Sequence, residues 1–418
     1  MKDTITKFWV ITSVVLFMNL SSLEVCGQQR SKFDESLLSE DSIRAAFQYI
    51  SNSREGVITE WITLTEIPAP STMEEKREAY LRDQLVAIGV DELVSDSRGN
   101  LIARFDGSGG GQTLAIAAHM DTVFNAETEI EVRRDSDMLY APGVGDDTSG
   151  CIALLWAVRA LREANIQTRG DLLVVFTVEE ELGLFGARRF LEDWGDDLDF
   201  FVAVDGTLGQ MSYGALGINW YKFIFRSGGS HTNRSAGKPN PAKAIATAIS
   251  HIYSIPLEPA GNKMGTVYNV GILGGGKVIN AISEESFFTA DVRSADPVKL
   301  DEMGSRIQRI VENAAEMERV ALTVERPLVL PAAQISDAVD SDIVHTGVAV
   351  LDALGIEAEL TLRGSTDANV AMEMGIPSIS IGASRGQGAH QVSEATLIEP
   401  IFDGIKQILL LMVSLTGE

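Results

Sequence analysis

Cysteine is nearly absent from this chain: 418 residues carry two, Cys26 and Cys151. Cys26 lies in or beside an N-terminal export segment, so removing that segment leaves Cys151 alone and no intrachain disulfide framework. Cys151 precedes an apolar helical stretch, Ile152 to Leu161, which marks it as a packed core thiol and argues against a thiol mechanism. Basic charge is also short. With 34 Lys and Arg against 59 Asp and Glu the formal net charge is -25, and neither nucleic acid nor an anionic membrane finds the basic surface it needs. Apolar runs long enough to span a bilayer are missing too. Phe8 to Leu20 follows Lys2 and Lys7 and precedes Val25-Cys26-Gly27, the pattern of a cleaved signal over residues 1–27. That run, like the apolar helix from Ile401 to Leu415, is shorter than the roughly 20 residues a spanning helix needs. The mature chain is therefore expected without a transmembrane span, secreted or periplasmic. Lipid attachment through Cys26 is the lesser alternative, since Glu24 and Val25 fit that signal poorly. Internal repeats are absent as well.

What is present is an ordinary globular composition, 45% hydrophobic and 22% charged, on a chain too long for one core. Helical periodicity runs from Ile43 to about Leu64 and from Glu74 to Ile88. Short apolar runs at Leu101 to Phe105, Thr113 to Ala118, Leu172 to Thr177 and Phe200 to Val204 read as buried strands. Helices at Ser149 to Glu163 and Leu184 to Asp193 separate the later strands, so this part predicts an α/β layer with a largely parallel sheet. After Asp205 the order changes to strand, helix (Pro241 to Tyr253), two strands, helix (Pro297 to Glu316) and strand. That α+β unit is small enough to be an insert with its own core. The α/β pattern resumes with a helix from Ile335 to Leu354, a strand at Ser378 to Ile381 and the last helix. The expected division is 42–212, 213–329 and 330–418, the first and third forming one domain around the second.

Carboxylates and imidazoles gather at the ends of the predicted strands. One strand runs into His119-Met120-Asp121, another into Glu179-Glu180-Glu181, a third into Asp205, and a fourth towards a glycine-rich loop ending in His390. The loop Gly143-Val144-Gly145-Asp146-Asp147 ends where a helix begins. Open α/β sheets bind ligands outside the carboxyl ends of their strands, so these groups face one crevice. Two imidazoles with several carboxylates form an N/O donor set for which zinc is the commonest fit. His119, Asp146, Glu181, Asp205 and His390 are the right number for two metals sharing one carboxylate. Each piece alone has a plainer explanation: a surface His, a solvated acidic triplet, an N-cap aspartate pair. Their joint placement at strand ends is what argues for a site.

Ala118-His119-Met120-Asp121-Thr122-Val123, Gly143 to Gly150, Thr177 to Gly183, Val204-Asp205-Gly206 and Gly388-Ala389-His390 together resemble the co-catalytic zinc family of glutamate carboxypeptidase, aminoacylase, succinyl-diaminopimelate desuccinylase and peptidase T. Gly228-Gly229-Ser230-His231, Gly274 to Asn280 and Asp291-Val292-Arg293 are similar to that family's dimerisation domain. The resemblance covers roughly residues 55 to 415. It implies a zinc-exopeptidase-like catalytic domain with a mixed central sheet, plus an inserted ferredoxin-like α+β dimerisation or lid domain. It further implies two zinc ions, with cobalt or manganese as substitutes. His119 and Asp205 would hold one, Glu181 and His390 the other, and Asp146 would bridge them in a bond to Asp147 that the family often holds cis. Asp121 would orient His119, Glu180 would be the general base, and His231 would reach across a homodimer as an oxyanion donor. Arg293 and Asn280 are candidates for gripping a substrate carboxylate; a structural ion pair is an equal reading of Arg293. The implied activity is hydrolysis of small peptides from an end, with N-acyl amino acid deacylation as the alternative and a non-catalytic binding protein as a remote one. The sequence departs from the family at Thr148-Ser149, where many relatives carry lysine, and at Glu179, where aspartate or glycine is frequent. His251 and His345 fall within helices and read as packing or surface residues.

Overall fold

Strands buried on both faces build the larger sheet. All six residues of Leu114–His119 and of Leu172–Thr177 are buried, as befits strands covered by helices on either side. The computed structural model describes residues 31–257 and 265–417; the expected export signal and Cys26 lie outside them. The sheet has eight strands in the order Glu92–Ser95, Leu101–Phe105, Leu172–Thr177, Leu114–His119, Phe200–Val204, Ser378–Ile381, Gln210–Ser212, Glu359–Thr361. Its four central strands are parallel. Leu101–Phe105, Glu92–Ser95 and Gln210–Ser212 join antiparallel, so the sheet is mixed. Helix–strand alternation speaks only for strands joined by crossover helices, which is why the parallel centre could be read from sequence and the antiparallel flank could not.

The helices Thr148–Glu163 and Pro400–Thr416 pack against one another over this sheet, and their leucines, isoleucines and Trp156 fill its main core. The C-terminal helix is thus apolar because it is buried. No helix among the described residues is long and apolar enough to cross a membrane. Two helices differ from expectation. The stretch from Ile43 to Leu64 is broken at Ser53 into Asp41–Asn52 and Arg54–Thr65. The helix expected from Ile335 starts at Asp342, because Asp337 has a left-handed φ of 56° and Ser341 is extended.

The inserted segment forms a second, antiparallel sheet in the order Val267–Gly275, Glu285–Ser294, Gly217–Arg226, Ala321–Glu325. Pro241–Ile252 and Pro297–Glu318 begin at Asn240 and Asp296, whose side chains cap them ahead of a first-turn proline. These helices pack on the sheet over a core of their own, including Phe223, Phe225, Phe288, Ile245, Ile307 and Val311. The chain leaves and rejoins the larger lobe side by side: Ala215 and Ala333 exchange backbone hydrogen bonds of 2.9 and 3.3 Å. Buried Asn369 donates to the carbonyls of Leu216 and Pro331, one in each connector, at 3.2 Å.

A third sheet was not visible in the sequence. Arg385–Gln387, Ala395–Leu397, Met138–Tyr140 and Arg133–Asp135 pair antiparallel in that order. Its strands are three residues each, too short to display a period. It fixes the loop carrying His390 against the loop carrying Asp146.

Candidate metal centre

Four of the predicted ligands meet. His119 is the last residue of its strand, and its Nε2 lies 3.1 Å from Asp146 Oδ1. His390 projects from the turn after Arg385–Gln387, and its Nε2 lies 3.1 Å from Asp146 Oδ2 and 3.2 Å from Glu181 Oε1. Asp146 therefore presents one oxygen to each imidazole. His119, Asp146 and Glu181 bring donor atoms within 4.8 Å of one another. Asp205 stands at the end of Phe200–Val204 and lines, with Asp146, Asp147, Ser149 and Gly206, a cavity of about 250 Å³. The peptide bond between Asp146 and Asp147 is cis.

Local geometry aims these groups. Thr177 ends its strand, and the chain then turns through Glu179 at φ 53° into the short helix Glu180–Gly183, with Leu184 at φ 59° beyond it. A left-handed φ costs a non-glycine residue about 1 kcal/mol or more, and here it brackets Glu180 and Glu181. Asp121 holds that turn. Its Oδ1 accepts from Glu180 N at 3.0 Å, and its Oδ2 accepts from Glu181 N at 3.2 Å and from Ser71 Oγ at 2.6 Å. His119 Nδ1 lies 3.0 Å from the Asp121 carbonyl and 3.5 Å from its carboxylate. The ring is thus fixed chiefly through the Asp121 main chain, while the Asp121 carboxylate orients the two glutamates. Asp147 caps the following helix through Gly150 N and accepts from His119 N, both at 3.1 Å.

Charge is crowded in this pocket. Burial pushes Glu180 and Asp147 well above the usual carboxylate range. Burial and the neighbouring Asp146 carboxylate push Asp205 up to about 7. The imidazoles move the same way. Hydrogen bonds to Asp146 and Glu181 hold His390 up to about 10. His119 is also raised, since Glu180, Asp121 and Asp146 outweigh the burial that opposes its charge. Two imidazoles cannot balance so many carboxylates, and divalent cations would. The donor set fits a two-metal centre on chemistry as well as on position.

Other contributors were not anticipated. Glu394 is 2% exposed and accepts from Gly143 N at 2.7 Å and from Gly145 N and Asp146 N at 2.9 Å. Burial pushes it up to about 7, against the pull of those N–H groups. Fully buried Arg77 donates to the carbonyls of Met120 and Ile67 at 2.8 and 3.1 Å behind the site. Its signal was in the sequence: Arg77 shares the apolar face of its helix with Leu81 and Leu85. Asp367 accepts from Thr177 Oγ1 at 2.6 Å. Cys151 is buried, its thiol pushed up by burial and donating to the His119 carbonyl at 3.1 Å.

Among the described residues, the candidates in the insert share no hydrogen bond or ion pair with this cluster. His231 is exposed and pairs with Ala281, so it stands beside Asn280, whose carbonyl accepts from Thr232 N at 2.9 Å. Arg293 lies at the other end of Glu285–Ser294 and donates from Nε to both oxygens of Asp291 at 3.1 and 3.0 Å.

The family model described as peptidase family M20/M25/M40 matches residues 115–413. Carboxypeptidase G2 from Pseudomonas sp. (strain RS-16) is 24% identical over 327 residues, covering 74% of this chain and 76% of that one. Among solved structures, aminopeptidase PepT from Bacillus cereus ATCC 10987 superposes with a TM-score of 0.75 at 22% identity, covering 87% of this chain and 99% of that one. The Bacillus subtilis YXEP protein, described as a dinuclear metal-binding peptidase, does so at 0.66 and 16% identity, covering 88% and 100%.

Proposed function

The chain belongs to peptidase family M20/M25/M40, and from that premise we propose that it is a two-zinc exopeptidase acting on small peptides. The observation that carries the reading is Asp146, one of whose oxygens faces His119 and the other His390, each at 3.1 Å. His119 and Asp205 would hold one ion and Glu181 and His390 the other, with Asp146 shared. Bound there, the metals would supply Lewis acidity to a water and to the scissile carbonyl. Glu180 is the general base: it takes the proton of the attacking water and delivers it to the leaving amine. Its raised affinity for a proton, from burial beside Asp205 and Asp367, suits a group that must carry one between two steps.

His231 is the oxyanion donor. Its Nδ1 accepts from Asn233 N at 3.2 Å, which leaves the proton of a neutral ring on Nε2, free to donate. Since neither His231 nor Asn280 shares a hydrogen bond with the metal cluster of its own chain, a homodimer that delivers them to the partner's cluster would complete the site. Arg293 belongs with them as a carboxylate grip once freed from Asp291. With residues 1–27 as an export signal, the enzyme works in the periplasm or outside the cell, breaking down peptides as nutrients.

Hydrolysis of a panel of di- and tripeptides beside N-acetyl and N-succinyl amino acids tests the proposal. Turnover of peptides that is lost on chelation and in Glu180→Ala, with two zinc ions bound per wild-type chain, is the expected result. Preferred turnover of the N-acyl compounds would replace the peptidase by a deacylase on the same centre.

A further inference from the structure

Two loops supply the carboxylate and the imidazole that face each other at 3.1 Å, Asp146 and His390, and a single buried side chain ties them together. Glu394 follows His390 by one turn: Gln391 N donates to Gly388 O at 2.9 Å and Glu394 N to Gln391 O at 3.0 Å. The carboxylate then crosses to the other loop, where it accepts three main-chain N–H groups, those of Gly143, Gly145 and Asp146. The main chain repeats the tie, since Ala141 N donates to Glu394 O at 3.2 Å.

The loop is shaped for this carboxylate. A Cβ on Gly145 would sit 2.6 Å from Glu394 Oε1 and 2.8 Å from Thr396 Oγ1, so only glycine admits so close an approach. Gly143 has a φ of 72°, which turns its N–H towards Oε2. Three charge-assisted bonds to consecutive turns of one loop fix where Asp146 stands. A carboxylate with three main-chain donors and almost no exposure has no surface role to explain its charge.

We infer that Glu394 is a positioning residue of the metal centre: through the 143–146 main chain it sets the placement of Asp146 against His390, and so the affinity of the site for its second metal ion. The inference rests on the two-zinc reading above. Glu394 touches neither substrate nor reacting atoms. Partners of this kind around a metal typically set metal affinity or activity by about 10- to 100-fold.

Glu394→Gln is the informative substitution. An amide oxygen can still accept from Gly145 and Asp146, but the amide NH₂ meets Gly143 N–H, so one of three bonds becomes a clash. Glu394→Ala removes all three, and Phe223→Leu, which loosens the separate core of the insert, controls for lost stability alone. Zinc binding by titration against a chromogenic chelator, and melting temperature with and without zinc, are to be read on the full chain. The expected result is one zinc retained at near wild-type affinity in Glu394→Gln and the second weakened by about 10-fold or more. KM should change little while kcat falls, and Phe223→Leu should bind both ions normally. Two ions bound by Glu394→Gln as tightly as by wild type would overturn the inference, whatever its melting temperature. Failure of wild type itself to bind two ions would overturn the two-zinc reading first, and the inference with it.

Discussion

The larger sheet and the inserted sheet hide their residues in different ways, and their functional groups follow suit. In the larger sheet Leu172–Thr177 is buried along its whole length, so a polar residue can appear only where the strand ends, and there it meets the ends of the neighbouring strands. In the inserted sheet Glu285–Ser294 alternates between buried and less buried residues, one face on helices and one towards solvent. Arg293 stands at one end of that strand, while His231 and Asn280 sit together in a separate two-stranded pairing. One region assembles a centre within a single chain, and the other presents groups that need something to meet. Burial on both faces is what concentrates chemistry at a strand end.

Complementation between variants breaks that comparison most sharply. His231→Asn should lower kcat by about 10²- to 10³-fold, the usual cost of an oxyanion donor, with zinc content unchanged. Glu180→Gln should be nearly inactive. Mixing the two should restore activity up to about a quarter of wild type if one chain's His231 serves the other's cluster, because a mixed dimer then holds one intact pair of groups. A mixture that stays as weak as its better component, alongside a sedimentation coefficient of a monomer, would place His231 within its own chain.

A smaller effect separates the crowded cluster from the insert by pH. In metal-free protein, Asp205 keeps its proton up to about 7 when folded but loses it near 3.8 when unfolded. His390 keeps its proton up to about 10 when folded against 6.5 unfolded. Between those values the folded chain binds more protons, so stability falls as pH rises. The melting temperature of chelated protein should therefore decline from pH 5 to pH 9. In His390→Asn the decline above pH 7 should be shallower; an identical slope would remove His390 from the account. The smallest effect concerns Cys151. Being buried with its thiol pushed up by burial, it should leave activity untouched by iodoacetamide under native conditions, and inactivation would mean that the larger lobe opens.

The sequence reached the parallel centre of the larger sheet because helices separate those strands; His119 and Glu181 stood out just past apolar runs, and Asp146 and His390 in glycine-rich loops matching a family motif. Asp121 was expected behind His119 and is found there, but its carboxylate mainly secures Glu180 and Glu181. A two-residue spacing reveals proximity and leaves the choice between carbonyl and carboxylate to packing. Glu394 gave no signal at all. Its partners lie some 250 residues earlier in the chain, and the three-residue strands that bring them together are too short to declare themselves. Arg77 was legible as a charge on an apolar stripe, a sign of a buried polar role.

The pairing of Ala215 with Ala333 also bears on how the chain finds its fold. Phe200–Val204 and Ser378–Ile381 lie side by side in the larger sheet, although roughly 170 residues separate them, and each halving of such a loop lowers its closure cost by only about 0.6 kcal/mol. Once the insert has formed with its own core, its two ends are already together and the open stretch is less than half as long. The insert then works as a clasp in sequence space. Connectivity alone would favour a route in which the smaller body condenses early and the distant strand of the larger sheet docks late.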